Sequence, residues 1–151
     1  QLYVRDIIIP DTLIDTVTGN RYAHETEGES KRLITVDRVI SSPAKKQQLH
    51  DEYQAAIVDM ESAVIAGLCE SHDVPWLCIR SVLDVANEIL PAWLSRCVDA
   101  YGKPRPIMTA LQAMLHPLDL ASFTRTALHA PGAAKALADA LPPLLAGSRR
   151  V

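Results

Sequence analysis

Residues 55–82 run AAIVDMESAVIAGLCESHDVPWLCIRSV, and no other stretch limits the possible folds as tightly. Residues 55–58 read as a short buried strand, 60–71 as a helix rich in small residues, and 74–82 as a second strand. A helix of about 11 residues rises roughly 16–17 Å, enough to carry the chain back past a short strand. The expected unit is a right-handed βαβ crossover with its two strands parallel and adjacent. Such a unit needs helices over its sheet, so the fold class is α/β.

Carboxylates stand where this unit changes direction. Asp59 ends the first strand, Glu61 falls in the first helical turn, and Asp84 lies just beyond the second strand. In open parallel sheets, ligands bind outside the carboxyl ends of the strands. Neighbouring strands would bring all three acids to that edge. Each has a plainer reading. Asp59 could cap the helix through the amide of Glu61 or Ser62, Glu61 could complement the helix dipole, and Asp84 could pair with Arg80. Three acids on one edge repel unless something is bound among them, which favours a site. A carboxylate suits a vicinal diol such as that of a ribose. An acid flanked by Leu83, Val85 and Ala86 suits proton donation to a leaving group. Cleavage of an N-glycosidic bond combines the two.

Elsewhere, residues 2–9 read as a strand ended by Pro10, 12–16 as a second, and Thr18-Gly19-Asn20 as a turn into 21–23. Residues 24–32 read as an exposed loop and 33–40 as a strand. Ser42-Pro43 reads as the N-cap and first position of a helix running to Tyr53. Beyond residue 90 the pattern is helical: Ile107, Ala110, Leu111, Met114 and Leu115 keep a helical period. Two further helices, 118–128 and 133–145, are expected on either side of Pro131-Gly132. The 151 residues are read as one domain, with a core over 1–90 and a helical tail over 91–151.

Composition removes several classes of function. The net charge is −3, with no basic run to follow a phosphate backbone, so no nucleic-acid partner is expected. Apolar stretches fall short of the ~18–20 residues of a membrane span, and Arg5 and Asp6 do not suit a signal peptide. Three cysteines without CxxC spacing argue against a disulfide framework and for a reducing, cytoplasmic setting. The five histidines are scattered, and no metal site is expected.

The stretch "VDMESAVIAGLCESHDVPWLCIRSVLDVA", residues 58–86, resembles the purine nucleoside phosphorylase and methylthioadenosine/S-adenosylhomocysteine nucleosidase superfamily. The resemblance lies in an acid-Met-Glu triplet opening a helix and a Val-Pro strand ending in an Arg-x-x-Ser-Asp pattern. It extends through "ITVDRVISSPAKKQQL" and "VRDIIIP", covering roughly residues 2 to 90. The helical tail and the Leu83-Asp84 pair are most similar to the hopanoid-associated phosphorylase branch, whose role is removal of adenine from adenosylhopane. The resemblance implies a phosphorylase/hydrolase-like three-layer fold with a mixed central sheet and a helical tail. It implies that Glu61 holds ribose hydroxyls with Asp59 beside it, that Met60 packs on the sugar, and that Asp84 hydrogen-bonds or protonates the purine N7. Val39 and Ile40 would line the base pocket, although as β-branched residues they read equally as strand core. Arg80 matches a family arginine. No cofactor is implied, only phosphate as a candidate co-substrate, and a homo-oligomer is expected.

The departures are specific. Asp59 stands where many members have Glu, Leu83 where they have Ser, and Arg5 where they have Gly. The family's N-terminal strands and glycine-rich phosphate or water site have no counterpart in residues 1–151. The expectation is therefore a chain holding the sugar and base half of a site. The alternative is a truncated or degenerate relative that binds a nucleoside or oligomerises without catalysis. An apolar face on the tail helices also reads as a membrane or lipid-substrate contact, though packing against a core is the commoner use of such a face.

Overall fold

The computed structural model describes residues 2–24, 30–91, 93–97, 103 and 105–147. Among them the order is β1 (Ile7–Ile8), β2 (Thr12–Asp15), β3 (Arg21–Ala23), β4 (Arg32–Thr35), α1 (Pro43–Tyr53), β5 (Ala55–Asp59), α2 (Ser62–Ser71), β6 (Arg80–Ser81), α3 (Pro106–Leu115) and α4 (Leu120–Gly147). The main sheet has the order β3-β2-β4-β5; β2, β4 and β5 run parallel and β3 antiparallel. This is the mixed α/β sheet expected.

Alternation along the strands builds a layer on each face. Leu13 and Leu33 point one way and pack with Ala63, Ala66 and Cys78 beneath α2. Ile14 and Ile34 point the other way, against Val36, Ala55 and Leu49 of α1. Leu33 and Ile34 are both 0% exposed, so β4 is the middle of the sandwich. Helix, sheet, helix: three layers. Gly67 of α2 fits this layering closely, because a Cβ there would meet the Tyr22 hydroxyl oxygen at 2.5 Å.

Local signals set several boundaries. Ser42 caps α1 by accepting from the Lys45 amide at 3.3 Å, and Pro43 occupies the first turn. Gly19, at φ +78°, makes the turn between β2 and β3, for which a left-handed residue is needed. The loop expected over 24–32 lies largely outside the described residues. The strand expected over 33–40 stops at Thr35, leaving Val39 and Ile40 half-buried in the connection to α1.

Three expectations are corrected. The strand of residues 2–9 shrinks to two residues, because the chain turns at Arg5, whose φ is +77°. That left-handed geometry costs a non-glycine residue roughly 1–2 kcal/mol. The strand of 74–82 shrinks to Arg80–Ser81 and does not pair with β5. It joins β1 in a separate antiparallel pair, extended by bonds of 2.8 and 2.9 Å between residues 5–6 and Val82. Pro75 lacks a donor for a ladder, and β1 satisfies the backbone that β5 was expected to meet. Finally, residues 118–145 do not break at Pro131-Gly132: α4 is one helix of 28 residues. The proline forfeits one hydrogen bond, but buried Thr126 and Ala133, seven residues apart, hold both sides on one face. The Arg5 guanidinium lies across Gly132, where a Cβ would collide with its Nε, so the absent side chain makes room for that contact.

Trp93 organises the tail. It is 4% exposed, donates from Nε1 to Asp119 at 3.0 Å, and packs on His116 and Phe123. Among the described residues, no helix is long and apolar enough to cross a membrane.

Candidate functional site

The carboxyl ends of β2, β4 and β5 place Asp15, Thr35 and Asp59 side by side in register. Asp15 turns away from any ligand role by closing its own loop. It accepts from the Val17 amide and the Thr18 hydroxyl at 2.8 and 2.7 Å. The Thr18 hydroxyl bond, with backbone amides, keeps its carboxyl below the ordinary value despite burial.

Asp59 is the hub of this edge. Its Oδ1 accepts from the Thr35 hydroxyl at 2.8 Å and from the Glu61 and Ser62 amides at 3.3 and 3.2 Å. Its Oδ2 accepts from Arg80 Nε and an Arg80 terminal nitrogen at 3.0 and 2.7 Å, and from the Ser62 hydroxyl. Arg80 also donates to the Ser62 hydroxyl oxygen at 2.5 Å, and the Thr35 oxygen accepts from the Ala63 amide at 2.9 Å. The capping reading of Asp59 is therefore realised, and the Arg80 ion pair is added to it. Arg80 pairs with Asp59, not with Asp84 as one reading had it. Cys78 sits beneath, 3.4 Å from the Ser62 oxygen. Burial pushes its thiol up, with Ser62 and Arg80 offsetting only part of this, so it stays protonated and unreactive at neutral pH.

With Asp59 doing the capping, Glu61 is released from it. Glu61 occupies the N-cap position of α2 but makes no side-chain cap bond. It is exposed and its carboxylate is without an ion pair or hydrogen bond among the described residues. Met60 beside it is 40% exposed. A sulfur-bearing apolar side chain and an unengaged carboxylate thus open together at the sheet edge.

Asp84 has different surroundings from those its sequence neighbours suggested. Its Oδ2 meets Lys46 Nζ at 2.5 Å, and the same ammonium donates to the carbonyls of Val85 and Glu88, each at 3.0 Å. An ammonium, itself anchored by two carbonyls, holds this acid, not an apolar wall; Leu83 is 36% exposed. No hydrogen bond joins Glu61 to Asp84, and their strands are not laddered. The two are linked through Asp59, Arg80 and β6. A groove of about 350 Å³ lies past the ends of β2 and β4, lined by Thr16, Val36, Asp37, Arg38, Ile40, Lys45 and Leu49. It includes Ile40, but not Val39, Glu61 or Asp84. A shallower hollow of about 660 Å³ lies on the tail between Pro117 and Leu128.

Three contributors were not read from sequence. Thr35 ties β4 to α2, Lys46 fixes Asp84 from 38 residues away, and Glu88 is 6% exposed with both carboxylate oxygens unpartnered. Register with Asp59 would have found Thr35, had the β4-β5 pairing been known. Nothing local marks Lys46 or Glu88. Among the described residues no group of three or more His, Cys, Asp or Glu is arranged to hold a metal ion.

Fold and edge together define an α/β protein with a polar site at the carboxyl ends of parallel strands. The family model of the phosphorylase superfamily matches residues 29–96, the stretch containing β4, α1, β5, α2 and β6. The 5′-methylthioadenosine/S-adenosylhomocysteine nucleosidase of Shewanella sediminis is 35% identical over 88 residues, which is 55% of this chain and 37% of that protein. The enzyme of the same name from Mycobacterium bovis is 35% identical over 55 residues, 36% of this chain and 22% of its own. An aminodeoxyfutalosine nucleosidase of Helicobacter pylori is 36% identical over 52 residues, covering 34% and 23%. The chain thus aligns with only 22% to 37% of these relatives' lengths. No solved structure matches.

Proposed function

We propose that this chain carries the sugar- and base-holding part of a site that cleaves the N-glycosidic bond of a purine ribonucleoside. The observation behind the reading is the division of labour at the β5–α2 junction. Asp59 caps and pairs, which leaves Glu61 unengaged beside Met60, within a stretch similar to nucleosidases.

In this reading the Glu61 carboxylate accepts hydrogen bonds from the 2′- and 3′-hydroxyls, and Met60 lies against the sugar face. Ile40 and Val39 border the base. Asp84, taking part with a proton on the oxygen that Lys46 leaves open, hydrogen-bonds or protonates N7 as the bond breaks and is left as the carboxylate. The departing purine gains negative charge while the sugar becomes oxocarbenium-like, so an interaction at N7 is strongest in the transition state. Water or phosphate is the nucleophile. A bulky apolar 5′ substituent, as in adenosylhopane, follows from the resemblance of the tail. We extend the reading to a homo-oligomer working in the cytoplasm, in keeping with three free cysteines.

Chromatography of free adenine released from adenosine and from 5′-alkylated adenosines, with and without phosphate, tests this. Asp84→Asn is expected to lower kcat by about 10²–10⁴-fold, and Glu61→Gln to raise KM as well. Absence of base release under all conditions would overturn the catalytic reading. A second reading, binding without cleavage, draws on the Lys46–Asp84 ion pair and on the absence of Glu61 and Asp84 from both hollows. Nucleoside binding by calorimetry without base release would select it.

A further inference from the structure

We propose that Lys46 is a positioning residue for Asp84, and that it aims one carboxylate oxygen at the substrate by immobilising the other. This rests on the glycosidic-cleavage reading above, and it assigns a role that neither the sequence pattern nor the comparisons supply.

Lys46 lies in the first turns of α1, just past the Ser42 cap. Its side chain is 12% exposed, and that of Asp84 is 25% exposed. The ammonium has three donors, and all three are committed: Asp84 Oδ2, the Val85 carbonyl and the Glu88 carbonyl. It can neither rotate away nor serve water without losing one. Asp84 Oδ1 accepts no hydrogen bond among the described residues and is not sealed from solvent. One oxygen is clamped and the other is open.

A purely structural role explains this less well. The loop after β6 is already tied to the segment leading into α1 by the Leu90 amide on the Ser41 carbonyl at 3.0 Å, and it is turned by the Glu88 amide on the Val85 carbonyl at 3.0 Å. Holding it down does not require a charge. Desolvating an ammonium and a carboxylate is expensive, and an apolar side chain of similar size would fill the space at lower cost. What an apolar residue cannot do is fix the orientation of a carboxylate. A small misplacement of a reacting group costs about 100-fold in rate, so a fixed carboxylate is where the charge contributes.

The test is a mutant cycle on the intact chain, measured by base release from adenosine with and without phosphate. Lys46→Met is expected to lower kcat about 100-fold with KM changed by less than about threefold, and Lys46→Arg to recover part of that loss. Because Lys46 acts through Asp84, Lys46→Met/Asp84→Asn should be no slower than Asp84→Asn alone. Losses that multiply in the double variant, or an Arg variant as slow as the Met variant, would overturn the proposal while leaving glycosidic cleavage standing. If Lys46→Met does not fold, as judged by its melting curve, the same cycle with Lys46→Arg decides by the same criterion. An inactive wild-type chain would remove the underlying reading and this proposal with it.

Discussion

The two ends of this molecule are built by different rules. In the sheet-bearing region, Leu13, Leu33 and Ile34 are almost wholly buried and belong to one of two layers. In the tail, Ile107 and Met114, seven residues apart on α3, are 86% and 80% exposed, and Leu118 and Leu128 are 96% and 71% exposed. Periodicity alone therefore makes a helix but not a core. Burial requires a second surface: the sheet supplies one on each face, while the tail has Trp93 with its partners and one face of α4 set against β1 and β6. Polar groups do not divide this way. Asp59 spends both oxygens in a network, but Ser81 and Glu88, like Gln112 and His129 in the tail, keep buried side-chain atoms without hydrogen-bond partners.

Substitutions can break or sharpen that contrast. Leu33→Ala removes a side chain from the middle layer and should cost about 3–4 kcal/mol, read as a lower urea midpoint; a loss under about 1 kcal/mol would show that the layers are loosely packed. Asp15→Asn should cost about 1 kcal/mol at neutral pH, with a characteristic pH dependence. The folded state holds the Asp15 carboxyl below its ordinary value of 3.8, chiefly through the Thr18 hydroxyl. Its contribution is therefore present above about pH 4 and lost as pH falls through the folded value. The variant should show a shallower acid limb in stability against pH, and an unchanged limb would contradict this. Leu118→Ser, at the other end, should change stability by no more than about 0.5 kcal/mol. A large loss there would reveal a contact that covers the tail.

Much of the body was legible because its signals are local. Ser42-Pro43 starts α1 and Gly19 turns the β2–β3 hairpin. Alternation in Leu33-Ile34 assigns two faces. What failed was non-local. Residues 74–82 had the composition of a strand, but their partner was β1, some seventy residues earlier, and only the fold reveals such a pairing. Pro131 reads as a break, yet packing of Thr126 and Ala133 carries the helix through it. At the site, the sequence indicated that Asp59 could cap and that Glu61 stood near a strand end. It did not indicate that the first would free the second, nor that Lys46 would meet Asp84. Both depend on contacts between elements.

The central claim is that the working surface lies at the β5–α2 and β6 edge and not in the hollow of the tail. Amide chemical-shift mapping during titration with adenosine tests it most directly. The account predicts shifts concentrated in residues 59–63 and 81–86, much reduced in Glu61→Gln. Shifts confined to residues 117–128, or none at saturating nucleoside, would contradict it.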